Sequence, residues 1–327
     1  MTMPLPTFEY RTPATAEEAT RLLADPKHSA TLVGGGTDLF PAMKRRQVKP
    51  MTLVSLSEID AMRGIRIEDD GRCMIGASTL LRDLENSTEV PRVLAVAAGE
   101  IASPQIRNIA TVGGNLCLDT RCNYIDMPNT WRQASGHCMK EGGEVCWVAP
   151  KGSRCWAVSS SDLAPVAIAL GGEVRLMSAR GERTIPAEDL FQNDGIAFQT
   201  KTADEILVSL TLPAERTRAT YRKLRRRGAI DFPILGVAAA GRFDDDGTCL
   251  AARLVIGAVA PAPLRATEAE QFIVGKPLSD EVIEETARLA SVPVRPQNNT
   301  DMGSRYRKWM TPVFVSRALR DLKTGDT

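Results

Sequence analysis

Four cysteines, Cys122, Cys138, Cys146 and Cys155, fall within a window of 34 residues, with 15, 7 and 8 residues between neighbours. Four thiolates brought to one place are the ligand set of a structural zinc or of a 4Fe-4S cluster. The spacing matches neither usual signature: zinc sites pair cysteines two to four residues apart, and bacterial ferredoxins run Cys-x-x-Cys-x-x-Cys. Both metals stay open on spacing, with the cluster as the leading reading and these four cysteines as its ligands. The segment needs such a staple. Between Cys117 and Trp156 no periodicity is sustained, and Pro128, Gly136, Gly142, Gly143, Pro150 and Gly152 punctuate the chain. Cys73, Cys117 and Cys249 read as buried structural residues, and His137 beside Cys138 as a surface histidine.

Two glycine clusters offer a second chemistry. In Leu32, Val33, Gly34, Gly35, Gly36, Thr37, Asp38 and Leu39 a strand runs into three glycines and a helix start. Glycines let backbone N–H groups approach a phosphate, and a helix N-terminus adds partial positive charge. The dinucleotide fingerprint fails because its third glycine position is Leu39, and no Gly-Lys-Ser/Thr follows to make a P-loop. A tight structural turn is the competing reading. The second cluster, Thr111, Val112, Gly113, Gly114 and Asn115, follows the run from Ile101 to Ala110. Its alternative reading is a turn between a helix and a strand.

The elements that must hold these groups belong to a chain of 327 residues, enough for two or three packed units. Residues 8–10, 15–24 and 30–33 read as a strand, a helix capped by Thr15 and Glu18, and a strand. A strand at 51–56, a hairpin over 63–76 and a helix at 90–101 follow. After the irregular segment come a helix at 161–170, with Ser159 to Ser161 as its capping region, and strands at 173–177 and 206–212. Residues 214–218 read as a linker before strands at 235–240 and 250–258 and helices at 279–290 and 300–321. Hydrophobic residues make up 43% and charged residues 25%, the balance of a globular chain. Lys plus Arg number 41 against 40 acidic residues, so no basic surplus exists for nucleic acid or anionic lipid. Two histidines, His28 and His137, cannot build a triad or a multi-histidine zinc site. No long apolar run and no basic-then-apolar leader is present, so the expected location is the cytoplasm, where clustered cysteines point to metal rather than disulfides.

In order along the chain, LVGGGTDL, IASPQIRNIATVGGNL, SDLAPVAIALGG, YRKLRRRGAIDFPI and YRKWMTPVFVSRAL resemble the FAD-binding medium subunits of the molybdenum hydroxylases, the family of xanthine dehydrogenase and carbon monoxide dehydrogenase. The resemblance implies an α+β fold: a two-subdomain FAD-binding domain (1–56 and 57–215) followed by an α+β C-terminal domain (219–327). It implies pyrophosphate and ribose contacts from residues 32–39 and from Ala110 to Asn115, positions beside the flavin at Ile101 and Ala102, a carboxylate near the adenosine half at Asp162, and FAD-lining positions at Leu207 and Lys223. From the residues alone, Leu207 reads as a core strand residue and Lys223 as a solvated charge.

Where family members pass directly from GGNL to the Asp-Leu helix, this chain carries an insertion at about 119–158 that holds the four cysteines. The insertion is similar to that of the 4-hydroxybenzoyl-CoA reductase β subunits. That likeness implies an oxidoreductase subunit of anaerobic aromatic degradation in a heterohexamer, with molybdenum cofactor on the large partner and 2Fe-2S clusters on the small one. Electrons from ferredoxin would cross the 4Fe-4S cluster and FAD to those centres, and substrate turnover would take place on the partner. Two other readings stay open: an oxidative molybdenum-hydroxylase FAD subunit with a structural zinc in the insertion, and a non-enzymatic zinc-stabilised scaffold.

Overall fold

The computed structural model describes residues 3–27, 29–215 and 217–325; His28 and Arg216, the latter inside the expected linker, lie outside them. Three sheets organise the chain in sequence order. The first is parallel, with β1 (Glu9–Arg11) and β2 (Ala30–Val33) flanking β3 (Thr52–Ser55). Helix α1 (Ala16–Ala24) crosses between β1 and β2, and α2 (Leu39–Lys44) between β2 and β3. At the start of α1 the Thr15 hydroxyl accepts from Glu18 N at 3.2 Å, while the Glu18 carboxylate accepts from Ala14 N. Ala16 and Ala19 on its inner face are buried.

The second sheet is antiparallel, in the order β4 (Ile65–Ile67), β5 (Cys73–Gly76), β8 (Ile206–Leu212), β6 (Glu173–Ser178) and β7 (Gly181–Pro186). Four short helices, α3 (Leu81–Glu85), α4 (Arg92–Gly99), α5 (Pro104–Arg107) and α6 (Val112–Leu116), fill the stretch between β5 and the cysteine segment, which contains α7 (Asn129–Ala134). Helix α8 (Leu163–Ala169) then leads into β6; all its residues are buried, which explains its continuous apolar run. The third sheet, β12 (Leu264–Arg265), β11 (Cys249–Gly257), β10 (Leu235–Phe243) and β9 (Arg218–Leu224), is antiparallel and packs against α9 (Thr267–Ile273), α10 (Asp280–Ser291) and α11 (Ser304–Thr324) around its own apolar core. The fold is therefore mixed α+β, as expected. Three differences stand out: the stretch expected as a linker ends in β9, β7 adds an exposed strand, and Thr111 to Asn115 open a helix instead of a turn. Among the described residues no helix is long and apolar enough to cross a membrane.

The cysteine segment is closed at its root by an antiparallel bridge, Arg121 N to Val158 O at 2.8 Å and Val158 N to Arg121 O at 2.7 Å. It is wedged among all three sheets' surroundings. Gln47 donates to Ile125 O at 2.6 Å, Gly195 N to Cys155 O at 3.0 Å, and Asn123 N to Asn299 O at 2.7 Å. Arg132 is fully buried, donating to Met127 O at 3.0 Å and Arg45 O at 2.8 Å and pairing with Glu141.

Candidate functional site

The two glycine clusters meet. A Cβ on Gly35 would overlap the Ile109 carbonyl, and one on Gly34 would lie 2.8 Å from Thr111 Oγ1, so these glycines are required by the approach of the second loop. The loop from residue 34 to 38 follows β2 directly. Among the described residues, no hydrogen bond within the chain engages the backbone N–H groups of this loop. Consecutive unengaged N–H groups in a bent loop form a concave surface for an anion. The pyrophosphate of a dinucleotide fits that surface. Helix α2 behind it is only six residues long, so the backbone donors matter more here than the helix dipole expected from sequence. Leu32 is half-buried, while Val33 and Leu39 pack with Met43 and Leu53 in a small core under the loop. Asp38 is ion-paired with Arg121.

The second cluster offers less than its residue types suggest. The Thr111 hydroxyl caps α6 by accepting from Gly114 N at 3.0 Å, and the N–H groups of Val112, Gly113 and Asn115 bond to Thr79, Ala77 and Thr111 carbonyls. Asn115 Oδ1 accepts from Ser161 Oγ at 2.7 Å and Leu163 N at 3.1 Å, fixing the start of α8. Its Nδ2 has no partner among the described residues and is the donor left for a ligand. Ala110, buried beside the glycine loop, accepts from Leu81 N.

Between α4 and α5 the chain passes Ile101, buried in the main core, and Ala102, whose φ of 47° is left-handed. Three successive carbonyls here are pinned from three directions: Glu100 O by Lys223 Nζ at 2.8 Å, Ile101 O by Arg107 at 2.8 Å, and Ala102 O by Ile230 N at 2.7 Å. Lys223 is not the solvated charge its neighbours suggested. It is buried on β9, 3.0 Å from Asp162 Oδ2, and Tyr221 donates to Asp162 Oδ1 at 2.7 Å. Burial pushes the Asp162 carboxyl up to about 6, with Lys223 and the Tyr221 hydroxyl pulling it back. Tyr221 and Arg107 were missed in the sequence. For Tyr221 a signal existed: it and Lys223 are two apart on a strand and so share a face. Leu207 lies in the core of the second sheet, opposite Leu176, with the apolar surroundings of a strand residue.

The four cysteines come together around one cavity of about 10 Å³, lined also by Tyr124, Ile125, Met139, Lys140, Trp147 and Val148. Each is buried. The Cys122 thiol is pushed up to about 12 by burial, against N–H groups of Tyr124 and Ile125 that favour its thiolate; Ala157 N donates to Cys155 Sγ at 3.4 Å. Lys140, which donates to Asp119, Thr120 and Gly195 O, brings a positive charge to the wall. Trp147 stands edge-on to both Tyr124 and Trp131 at 5.6 Å. His137 stays outside the cavity lining, near Glu141. Among the described residues, no group of three or more His, Cys, Asp or Glu side chains is placed to hold one metal ion.

Comparison with known proteins bears on the whole chain. Residues 6–215 match the family described as the FAD binding domain in molybdopterin dehydrogenase, and residues 219–322 match the CO dehydrogenase flavoprotein C-terminal domain. The chain is 29% identical to the carbon monoxide dehydrogenase medium chain of Hydrogenophaga pseudoflava, covering 96% of each. It is 27% identical to the xanthine dehydrogenase FAD-binding subunit of Escherichia coli O157:H7, covering 95% of each. Among solved structures it is similar to carbon monoxide dehydrogenase from Hydrogenophaga pseudoflava lacking the Mo-pyranopterin moiety, with a TM-score of 0.82 at 29% identity over 99% of each chain.

Proposed function

The chain belongs to the FAD-binding family of the molybdopterin dehydrogenases, and from that premise we propose that it is the flavoprotein subunit of an oxidative molybdenum hydroxylase, assembled with a molybdenum-cofactor large subunit and a 2Fe-2S small subunit in the cytoplasm. The observation that carries this reading is the glycine loop with its unengaged N–H groups at 34–38, set against Thr111. The relatives named above are dehydrogenases, which supports the oxidative direction. FAD held at this loop supplies electron exchange between the partner's centres and an external acceptor. The chain's own residues bind and orient: loop 34–38 takes the pyrophosphate, Asn115 Nδ2 reaches the ribose side, and the pinned backbone at Ile101 and Ala102 forms a rigid wall for the ring. Asp162 and Lys223 act by holding that wall. No acid, base or nucleophile is asked of this chain, which suits its two histidines. In the same reading, residues 1–56 and 57–215 are the two flavin subdomains and 219–327 the C-terminal domain.

A second reading is favoured by the cysteine cavity. Four buried cysteines line it, which is the ligand number of a 4Fe-4S cluster, one thiolate per iron, and equally of a structural zinc. With such a cluster on Cys122, Cys138, Cys146 and Cys155, the chain would resemble the 4-hydroxybenzoyl-CoA reductase β subunit and receive single electrons from ferredoxin for the reductive reaction.

The deciding experiment is anaerobic purification followed by quantification of flavin, iron, acid-labile sulfide and zinc. Flavin without iron supports the oxidative reading alone; flavin with equal iron and sulfide supports the second. A chain without flavin would refute both.

A further inference from the structure

The glycine loop has a neighbour that neither glycine motif supplies. Arg121 stands at the root of the cysteine insertion, its backbone fixed by the bridge to Val158. Its side chain is 15% exposed, paired with Asp38 at the end of the loop, and its guanidinium lies 4.4 Å from the centre of the Phe232 ring. Nε is buried and has no partner among the described residues. A buried donor left unpaired is costly, and a guanidinium offers five donors, of which one carboxylate uses only part. The aromatic ring fixes the plane of the fork, and a planar fork beside unengaged backbone N–H groups suits the oxygens of a phosphate.

We propose that Arg121 is an FAD-binding residue, its guanidinium contacting the pyrophosphate held by loop 34–38, so that the cysteine insertion itself supplies part of the flavin site. This rests on the flavin reading above. Its consequence is that the position of the insertion's root sets flavin affinity, because Arg121 cannot shift without Val158 and the strand pairing between them.

The test uses the full chain, stripped of flavin, with Arg121→Gln and Arg121→Lys variants. Dissociation constants are measured for FAD, ADP and riboflavin by flavin fluorescence and by competition, together with thermal unfolding of each apoprotein. The glutamine variant should bind FAD and ADP at least about tenfold more weakly, the loss of one charge-assisted contact. Riboflavin affinity should stay within about twofold, and lysine should restore part of the loss because it keeps the charge. Equal weakening of ADP and riboflavin would assign Arg121 a purely structural role, and unchanged FAD affinity in both variants would overturn the contact outright. A wild-type chain that binds none of the three would instead remove the flavin reading, and this proposal with it.

Discussion

Lys223 Nζ lies 3.0 Å from Asp162 Oδ2 with both side chains almost completely buried, and the same ammonium donates to Glu100 O, so one cation joins β9, the start of α8 and the end of α4. Removing one member of a buried pair leaves an uncompensated charge, whereas replacing both with apolar groups often costs little. Lys223→Met should therefore destabilise the chain by about 3–5 kcal/mol, and the double variant Lys223→Met, Asp162→Leu should recover much of it. Urea unfolding of the four members of the cycle gives the coupling directly. Additive losses would mean that the pair contributes no specific coupling.

The same carboxyl makes a pH prediction. Burial raises Asp162 in the folded chain to about 6, above its value when unfolded. The folded state thus holds the proton more tightly, and the stability this contributes is full below about pH 4 and lost as pH rises through about 6. Relative to Asp162→Asn, which does not titrate, the wild type should lose up to about 3 kcal/mol over that window. Urea unfolding at closely spaced pH values from 4 to 7 measures the difference. A difference that is flat, or that grows with pH, would contradict the assignment.

Gly35→Ala tests the contact between the two loops. The new methyl would overlap the Ile109 carbonyl, a backbone atom that cannot rotate away. The loops should be forced apart, with FAD affinity falling by at least about tenfold and a stability loss of about 1–3 kcal/mol. Equilibrium dialysis against FAD measures the first effect, and a variant that binds as tightly as wild type would show that the contact does not shape the site.

Arg132→Met should loosen the cysteine segment and little else. Its guanidinium holds Met127 O, Arg45 O and Glu141, and its loss takes the guanidinium partner from a largely buried carboxylate. Limited proteolysis should then cut within residues 119–158 well before the flanking sheets, while the wild type resists at the same protease ratio. Equal resistance would place the segment's rigidity elsewhere.

Much of the fold was legible because its apolar runs are sharply bounded. The strands at Ala30–Val33 and Ile206–Leu212 have the expected limits, and α1 begins at the Thr15 cap. Strand β7 escaped because it is mostly exposed and carries no apolar alternation, and β9 because its charged residues mask the buried face of Ala219 and Tyr221. At the candidate site, sequence grouped the four cysteines as one ligand set, and all four line one cavity. Lys223 read as solvated because its partner Asp162 lies 61 residues away, and only the packing of α8 against the third sheet brings them together. Asn115 shows the reverse, a residue chosen as a donor whose carboxamide oxygen is occupied in anchoring α8.

The bridge between Arg121 and Val158 places the two ends of the cysteine segment side by side. A length of chain whose entry and exit already touch can be lifted out and the gap resealed by a short turn, with little penalty in loop closure for what remains. The segment is in that sense a cassette, with Arg121 and Val158 as its ends.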